Sequence, residues 1–114
     1  MIQLYFAKRN PDVLKAERFF KERRVPVQVV DLTRHKLGRR ELEVFARAAG
    51  GALNLVDRST PRALERPVAH MSTDSLILDA LLDDPTALRL PIVRDGQRAA
   101  IGVDECAWKE WLKG

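Results

Sequence analysis

The chain carries one thiol and two imidazoles as its candidates for nucleophilic or metal chemistry. Cys106 is the single cysteine, so an internal disulfide, a dithiol–disulfide cycle and a zinc site of several thiolates are all excluded. His35 and His70 are too few and too far apart in sequence to indicate a metal site, and neither has a nucleophile to serve as a general base. We therefore expect both histidines at the surface.

Cys106 is predicted to lie in the last helix, beside its apolar stripe. A thiol in that place is expected to be partly exposed and incidental to function. The alternative is a site for glutathionylation or for a mixed disulfide with another protein.

The charge of the chain is mildly basic. Lys and Arg number 20 against 16 Asp and Glu, a net charge of +4, and the sequence pI is about 9.6. The densest basic stretch runs from Arg34 to Arg40, with Arg23 and Arg24 upstream. This is typical of a solvated arginine-rich surface, and the alternative is a face for an acidic partner or a phosphate backbone. Since no aromatic residues interleave with these arginines, we expect no direct nucleic-acid binding.

The chain is expected to be cytoplasmic and without membrane contact. No apolar run approaches the ~20 residues that a membrane-spanning helix needs. The first residues, Met1–Leu4, lack the basic region that precedes the apolar core of a signal peptide.

The first third of the chain predicts a βαβ unit. Ile2–Phe6 alternates as a strand, and Asn10-Pro11-Asp12 combines a favoured N-cap, a favoured first helical residue and an acidic first turn. The helix is predicted to run to about Arg24, and the β-branched segment Val27–Leu32 predicts the second strand. The apolar face of this helix consists of Val13, Ala16, Phe19 and Phe20.

The middle of the chain predicts two more helices around a loop. Gly38 precedes a helix over Arg39–Ala49, which Gly50 closes. The polar segment Asn54–Pro67 predicts a loop with a short helical turn near Leu53–Val56. Ser72 or Thr73 caps a third helix, whose predicted buried stripe is Leu76, Ile77, Ala80 and Leu81 and which Asp84-Pro85 ends.

The end of the chain predicts a hairpin and a final helix. Pro91–Val93 and Ala99–Gly102 flank the hairpin signal Asp95-Gly96, and Asp104 caps the helix. Its inward-facing side chains are Trp108, Trp111 and Leu112.

One α/β domain over residues 1–114 accommodates all these elements. The βαβ unit requires a parallel strand pair with a right-handed crossover, and the hairpin adds antiparallel strands. The simplest closure is a thioredoxin-like sandwich: a four-stranded mixed sheet with helices on both faces and an inserted helical segment over roughly 33–88.

Several short motifs follow one another with a specific order and spacing. They are Ile2–Tyr5, Lys15–Phe20, Val29–Leu32, Leu37, Glu41-Leu42, Arg58–Thr60, Leu81–Pro85, Leu90–Val93, Asp95-Gly96 and Ile101-Gly102. In this order the chain resembles the ArsC/Spx family of thioredoxin-like proteins, which includes glutaredoxin-linked arsenate reductases and Spx-type transcription regulators. The resemblance covers essentially the whole chain.

The resemblance implies a redox site that this chain has lost. The family places its reactive cysteine at the N-terminus of the first helix, where amide groups and the helix dipole stabilise a thiolate, and that position is Asn10 here. The second cysteine of Spx-type members falls on Val13. The arginine before the strand proline falls on Leu90, and the resemblance implies a cis bond to Pro91. The resemblance therefore implies a divergent family member that lacks the catalytic cysteine.

Charged residues near this site bear on whether it still binds anions. Asn10 is expected to cap the helix with its own side chain, and Asp12 would repel an incoming oxyanion by about 3 kcal/mol at 5 Å and an effective ε of 20. Lys8 and Arg9 partly offset that charge. Arg58 matches the family's middle-loop arginine, whereas Arg89 lies one place too early and on a strand would point to the opposite face.

Three functions remain open from the sequence. The favoured one is a protein without redox catalysis or cofactor that acts through protein contacts in regulation. By analogy with Spx-type relatives, its partner would be the C-terminal domain of the RNA polymerase α-subunit, met by the helices after Gly38 and Asp104 and by Arg34–Arg40. The second is an arsenate reductase-type oxidoreductase that uses glutathione or Cys106. The third is a module that binds an anion or glutathione without turnover. Arg58, Arg89 and Arg94 would supply its charge, and the candidate binding residues are Lys8, Arg9, Arg58 and Arg89.

Overall fold

Strand β1 (Ile2–Phe6) lies inside the sheet and sends its side chains alternately into two cores. Leu4 packs on one side of the sheet and Tyr5 on the other, as the alternation predicts. The structure is a computed structural model that describes residues 1–113. The other strands are β2 (Val27–Asp31), β3 (Ile92–Asp95) and β4 (Arg98–Ile101).

The sheet has the order β2-β1-β3-β4 and is mixed. β1 pairs in parallel with β2 and antiparallel with β3, and β3 pairs antiparallel with β4. The helices are α1 (Pro11–Glu22), α2 (Arg39–Ala49), α3 (Pro61–Leu64), α4 (Asp74–Asp83) and α5 (Glu105–Leu112). Short 3-10 turns cover Ala52–Leu55, Pro67–His70 and Pro85–Ala87.

Each face of the sheet is covered by its own helices. On one face, α1 and α5 meet through Phe20 and Trp108, whose ring centroids are 5.3 Å apart. On the other face, α2 and α4 pack on the sheet, and Tyr5 meets Phe45 edge to face with centroids 5.1 Å apart. The predicted fold class, a four-stranded mixed sheet with helices on both faces, is confirmed.

The segment between β2 and β3 is more helical than the sequence analysis expects. The predicted loop Asn54–Pro67 contains α3, which Thr60 caps by accepting a hydrogen bond from the Ala63 amide at 3.0 Å. In the described chain, no helix is long and apolar enough to cross a membrane.

The buried stripe predicted for α4 is partly wrong. Leu76 is 56% exposed, and Leu78 is buried instead. Ile77, Leu78 and Leu81 form one contiguous face in the core that contains Tyr5, beside α2 and the 3-10 turns, and Leu76 lies outside it. Smaller differences concern boundaries: α1 ends at Glu22 rather than Arg24, and the hairpin strands are shifted by one or two residues.

Candidate functional site

The N-terminus of α1 is closed by the side chain of Asn10. Its Oδ1 accepts a hydrogen bond from the Val13 amide at 2.8 Å, and its backbone is extended, as an N-cap requires. The predicted cap is confirmed. Val13 itself is fully buried in the core beneath α1. The carboxamide therefore uses an amide that would otherwise be free to stabilise a thiolate or an oxyanion at this end of the helix.

A cleft of about 500 Å³ lies beside this cap. Asn10 and Leu90 both line it, so two of the predicted site positions share one cavity. Pro91 is buried next to Leu90, and the Leu90–Pro91 peptide bond is cis, as the resemblance implies. The cleft is formed where the segment after β1, the loop after the Ala52–Leu55 turn and the two segments that border the β3–β4 hairpin come together.

Five ionisable side chains line the cleft. Lys8, Arg66 and Arg89 contribute positive charge, and Asp12 and Asp57 contribute negative charge. Asp57 Oδ1 already accepts hydrogen bonds from the backbone amide and hydroxyl of Ser59, at 2.9 and 2.6 Å. Arg66 has a carboxylate oxygen of Asp84 at 3.8 Å. The formal balance of the five groups is +1.

This charge balance reduces the repulsion that the sequence assigns to Asp12. Asp12 is exposed to solvent, so its repulsion of an anion about 4 Å away is closer to 1 kcal/mol than to 3. Three cations share the cleft with it.

The prediction that Arg89 points away from the site is wrong. Arg89 and Leu90 both precede β3, so the alternation of a regular strand does not govern them. The Arg89 amide donates to the Leu55 carbonyl at 2.7 Å, and its guanidinium lies within 3.4 Å of the Asn54 carbonyl. This placement also brings Arg89 Nη2 close to Gly102, whose φ is +74°. A side chain at position 102 would have its Cβ 3.5 Å from that nitrogen.

Two of the predicted binding residues lie elsewhere, and one was missed. Arg9 is paired with Glu17, which raises the Arg9 pKa by hydrogen bond and charge, and its guanidinium lies 4.8 Å from the Phe6 ring centroid. Arg58 is exposed and does not line the cleft. Arg66 does line it, although no sequence signal distinguishes it from the other arginines.

Cys106 is exposed on the first turn of α5 and is not part of the cleft. The expected exposure of this thiol is confirmed. His35 and His70 are also exposed, and a ring nitrogen of His70 lies 2.6 Å from the Leu64 carbonyl. Among residues 1–113, no group of three or more His, Cys, Asp and Glu is placed to hold a metal ion.

A second polar cluster joins the sheet to the start of α2. The Tyr5 hydroxyl donates to Glu41 at 3.1 Å, and Arg94 approaches the same carboxylate at 3.8 Å. Burial, reinforced by the charge of Glu41, raises the pKa of Tyr5 above its ordinary value, against the opposing effect of Arg94. Glu41 also accepts from the Gly38 amide at 3.2 Å, so it fixes the beginning of α2. In the sequence, Glu41 stands out only as part of the Glu41-Leu42 motif.

Comparison of the sequence with protein-family models gives no match, and comparison with curated proteins gives none either. Solved structures do match. The protein YffB superposes with a TM-score of 0.81 at 20% identity, covering 96% of this chain and 97% of its own. An arsenate reductase (ArsC) related protein from Brucella melitensis gives 0.72 at 15%, covering 99% and 95%.

An arsenate reductase from Vibrio cholerae gives a TM-score of 0.74 at 14% identity, over 88% of this chain and 87% of its own. These likenesses extend over nearly the whole chain, and they concern backbone geometry rather than sequence. They agree with the mixed sheet order and with the helices on both of its faces. The chain therefore has the thioredoxin-like fold of arsenate reductase-related proteins.

Proposed function

We propose that this chain is a non-redox protein with an arsenate reductase-like fold, and that it acts through protein contacts in the cytoplasm. The observation that carries the proposal is the Asn10 cap. A carboxamide is neither a nucleophile nor a redox group, and this one is already bonded to the Val13 amide. The apolar Leu90 faces the same cleft at the position where the resemblance implies an arginine.

The direct test is an arsenate reduction assay coupled to glutathione and glutaredoxin. We expect no turnover above background for the wild-type chain or for Cys106→Ser. Turnover by the wild type that Cys106→Ser abolishes would replace the proposal with a reductase that uses this thiol. Equal turnover by both proteins would replace it with a reductase in which bound glutathione supplies the sulfur.

The partner proposed on the resemblance to Spx-type regulators is the C-terminal domain of the RNA polymerase α-subunit. The supporting observation is an exposed basic surface before and at the start of α2, since Arg34, Lys36 and Arg40 are all exposed. A pull-down with the purified chain is expected to recover the α-subunit. If no polymerase subunit is recovered, this partner is rejected. The absence of redox activity is tested separately, by the arsenate reduction assay.

A second candidate function is the binding of an anion or of glutathione in the cleft, without turnover. Lys8, Arg66 and Arg89 favour it, because glutathione has two carboxylates for these cations and one ammonium group for Asp12 or Asp57.

Titration calorimetry separates this candidate from the first. Glutathione, phosphate, sulfate and arsenate are each titrated into the wild type, into Arg89→Ala and into the matched control Arg58→Ala, which changes an exposed arginine outside the cleft. Binding that Arg89→Ala weakens about tenfold and Arg58→Ala leaves unchanged supports the candidate. A flat trace with all four ligands rejects it.

A further inference from the structure

Strand β2 has a hydrogen-bonded neighbour on one side only. It ends the sheet order, and β1 is its partner along the whole register from Val27 to Asp31. In an edge strand, backbone N–H and C=O groups along the outer side are left unpaired. At the end of β2 the Asp31 carbonyl is already used, because it accepts from the Arg34 and His35 amides at 3.0 and 2.9 Å, so the open carbonyls lie before Asp31. The side chains do not cover this edge fully, since Gln28 and Val29 are exposed, Val29 by 43%.

β2 carries only one of the devices that usually protect such an edge, the charged side chain of Asp31 at its end. Its sequence, Val-Gln-Val-Val-Asp, contains no lysine, proline or glycine, and three of its five residues are β-branched. The opposite edge differs. β4 begins with Arg98, which donates to Asp95 at 2.6 Å and lies 5.6 Å from the Trp111 ring centroid. The charged Arg98 side chain, held by Asp95, thus protects the outer edge of β4, whereas the outer edge of β2 is open to strand addition.

The chain's positive charge is concentrated around this edge. Residues 21–40 contain seven Lys and Arg against two Asp and Glu, a net charge of +5, whereas the whole chain is +4. The rest of the chain is therefore at −1. Arg24 precedes β2, and Lys36 and Arg40 follow it, all exposed to solvent. The Arg34 side chain is 83% exposed and only loosely paired with Asp31, at 3.8 Å.

We infer that the outer edge of β2 is a docking site for an extended acidic segment of a partner protein, which adds to the sheet as a fifth strand. Main-chain hydrogen bonds to the edge would supply affinity, and the cations at both ends of β2 would select acidic side chains. A second copy of this chain fits poorly, because two segments of charge +5 would lie side by side and repel each other.

This inference rests on the proposed function, since it gives the protein contact a place and a chemistry. A nucleic acid would also be attracted to the cations, but residues 21–40 contain no Phe, Tyr or Trp to form a stacking platform for its bases. An extended peptide uses the unpaired backbone of β2 as well as the charge.

The probe for the test is a fluorescein-labelled peptide of alternating Glu and Val, eight residues long. Its matched control has the same charge, with prolines in place of the valines, which removes every second backbone donor and so weakens pairing with a strand edge. Binding is followed by fluorescence anisotropy. Amide hydrogen exchange is followed by NMR on the same samples. We expect the Glu-Val peptide alone to bind, and amides on the outer side of Val27–Asp31 to gain protection.

Charge-reversal variants separate this surface from general basicity. Lys36→Glu/Arg40→Glu is expected to weaken binding of the Glu-Val peptide about tenfold, because two exposed cations that attract its glutamates become anions that repel them. The matched control, Arg18→Glu/Arg62→Glu, reverses two exposed cations on α1 and α3 and is expected to change the affinity less than twofold. Far-ultraviolet circular dichroism confirms that each variant is folded.

Three results would overturn the inference: no binding of the Glu-Val peptide, equal binding of the proline control, or exchange protection confined to the cleft around Lys8 and Arg89. A dimer in solution with β2 amides protected in the absence of peptide would assign the edge to a second copy. An RNA oligonucleotide that binds at least as well and protects the same amides would assign it to nucleic acid. The arsenate assay is independent, so turnover there refutes the proposed function and leaves the peptide result standing.

Discussion

Asn10 is the residue on which the functional account depends most. In thioredoxin-like redox proteins, the start of the first helix gains its reactivity from unpaired amides and a positive dipole end. In this chain, the Asn10 side chain satisfies the Val13 amide, at 2.8 Å. The same position thus stabilises the helix instead of a thiolate.

Replacing Asn10 by alanine is therefore expected to destabilise the fold. Loss of the cap should lower the free energy of unfolding by about 1 kcal/mol, whereas Asn10→Asp should retain most of it, because a carboxylate accepts the same hydrogen bond at the positive end of α1. Urea denaturation followed by tryptophan fluorescence measures both. Equal stability of Asn10→Ala and the wild type would show that the carboxamide is not a working cap.

Tyr5 provides a pH-dependent test of the second polar cluster. It is the only tyrosine, so absorbance at 295 nm reports its ionisation alone. Burial, and then the charge of Glu41, raise the pKa of Tyr5, so the midpoint of its ionisation is expected above the ordinary value of about 10. Glu41→Gln should lower the Tyr5 pKa. An unchanged pKa in that variant would remove Glu41 as a cause.

The sign of the accompanying effect on stability follows from linkage. Because the folded protein holds the phenolic proton more tightly than the unfolded chain, this contribution is complete below about pH 10. It is lost as the pH rises through the folded-state pKa. Denaturation midpoints of the wild type should therefore fall more steeply above pH 10 than those of Tyr5→Phe.

Among the elements, α5 depends on Trp108 for its attachment. The indole is fully buried against Phe19 and Phe20, with centroid distances of 5.1 and 5.3 Å. Its Nε1–H has no hydrogen-bond partner in the described structure. The ring thus contributes by packing alone, and its buried donor carries an uncompensated desolvation cost.

Two substitutions at Trp108 should therefore differ strongly. Trp108→Ala is expected to cost about 3–5 kcal/mol of unfolding free energy through the cavity that it leaves. Trp108→Phe should cost clearly less, because it retains a ring and removes the unpaired N–H. Chemical denaturation followed by circular dichroism compares them. A cost for Phe as large as that for Ala would show that the indole N–H is stabilising.

Local patterns were sufficient to predict most elements. The Asn10-Pro11-Asp12 cap, the alternation of Ile2–Phe6 and the Asp95-Gly96 turn each depend on neighbouring residues, and the structure has all three. The buried face of α4 was harder, because Leu76 and Leu78 are chemically alike. Only the position of the elements packed around α4 decides which of the two is covered.

The sequence predicts only part of the site, because local motifs identify some of its residues and long-range packing positions the others. Asn10 and Leu90 were assigned through motifs, and they do share a cleft. Arg66 enters that cleft because the segment after α3 folds back towards it, and this path depends on long-range packing that no local pattern encodes. Arg58 has the matching motif, but its side chain lies outside the cleft.

At the scale of the whole molecule, the cleft and the most basic surface lie in different places. The cleft beside Asn10 lies beyond the end of β1, with a formal balance of +1, whereas the charge excess of the chain surrounds the open edge of β2. A scaffold that other proteins use for arsenate reduction thus carries here a capped helix at one site and an unprotected basic edge at another. That separation is consistent with the proposed action by protein contact, without turnover.

The most direct test of this account measures arsenate reduction, coupled to glutathione and glutaredoxin, by the wild type, by Asn10→Cys/Leu90→Arg and by Leu90→Arg alone. Both exchanged positions face the cleft. We expect no turnover by the wild type or by Leu90→Arg, and measurable turnover by the double variant, because a thiol at the N-terminus of α1 regains its activating amides. Arsenate reduction by the wild type above background would contradict the account.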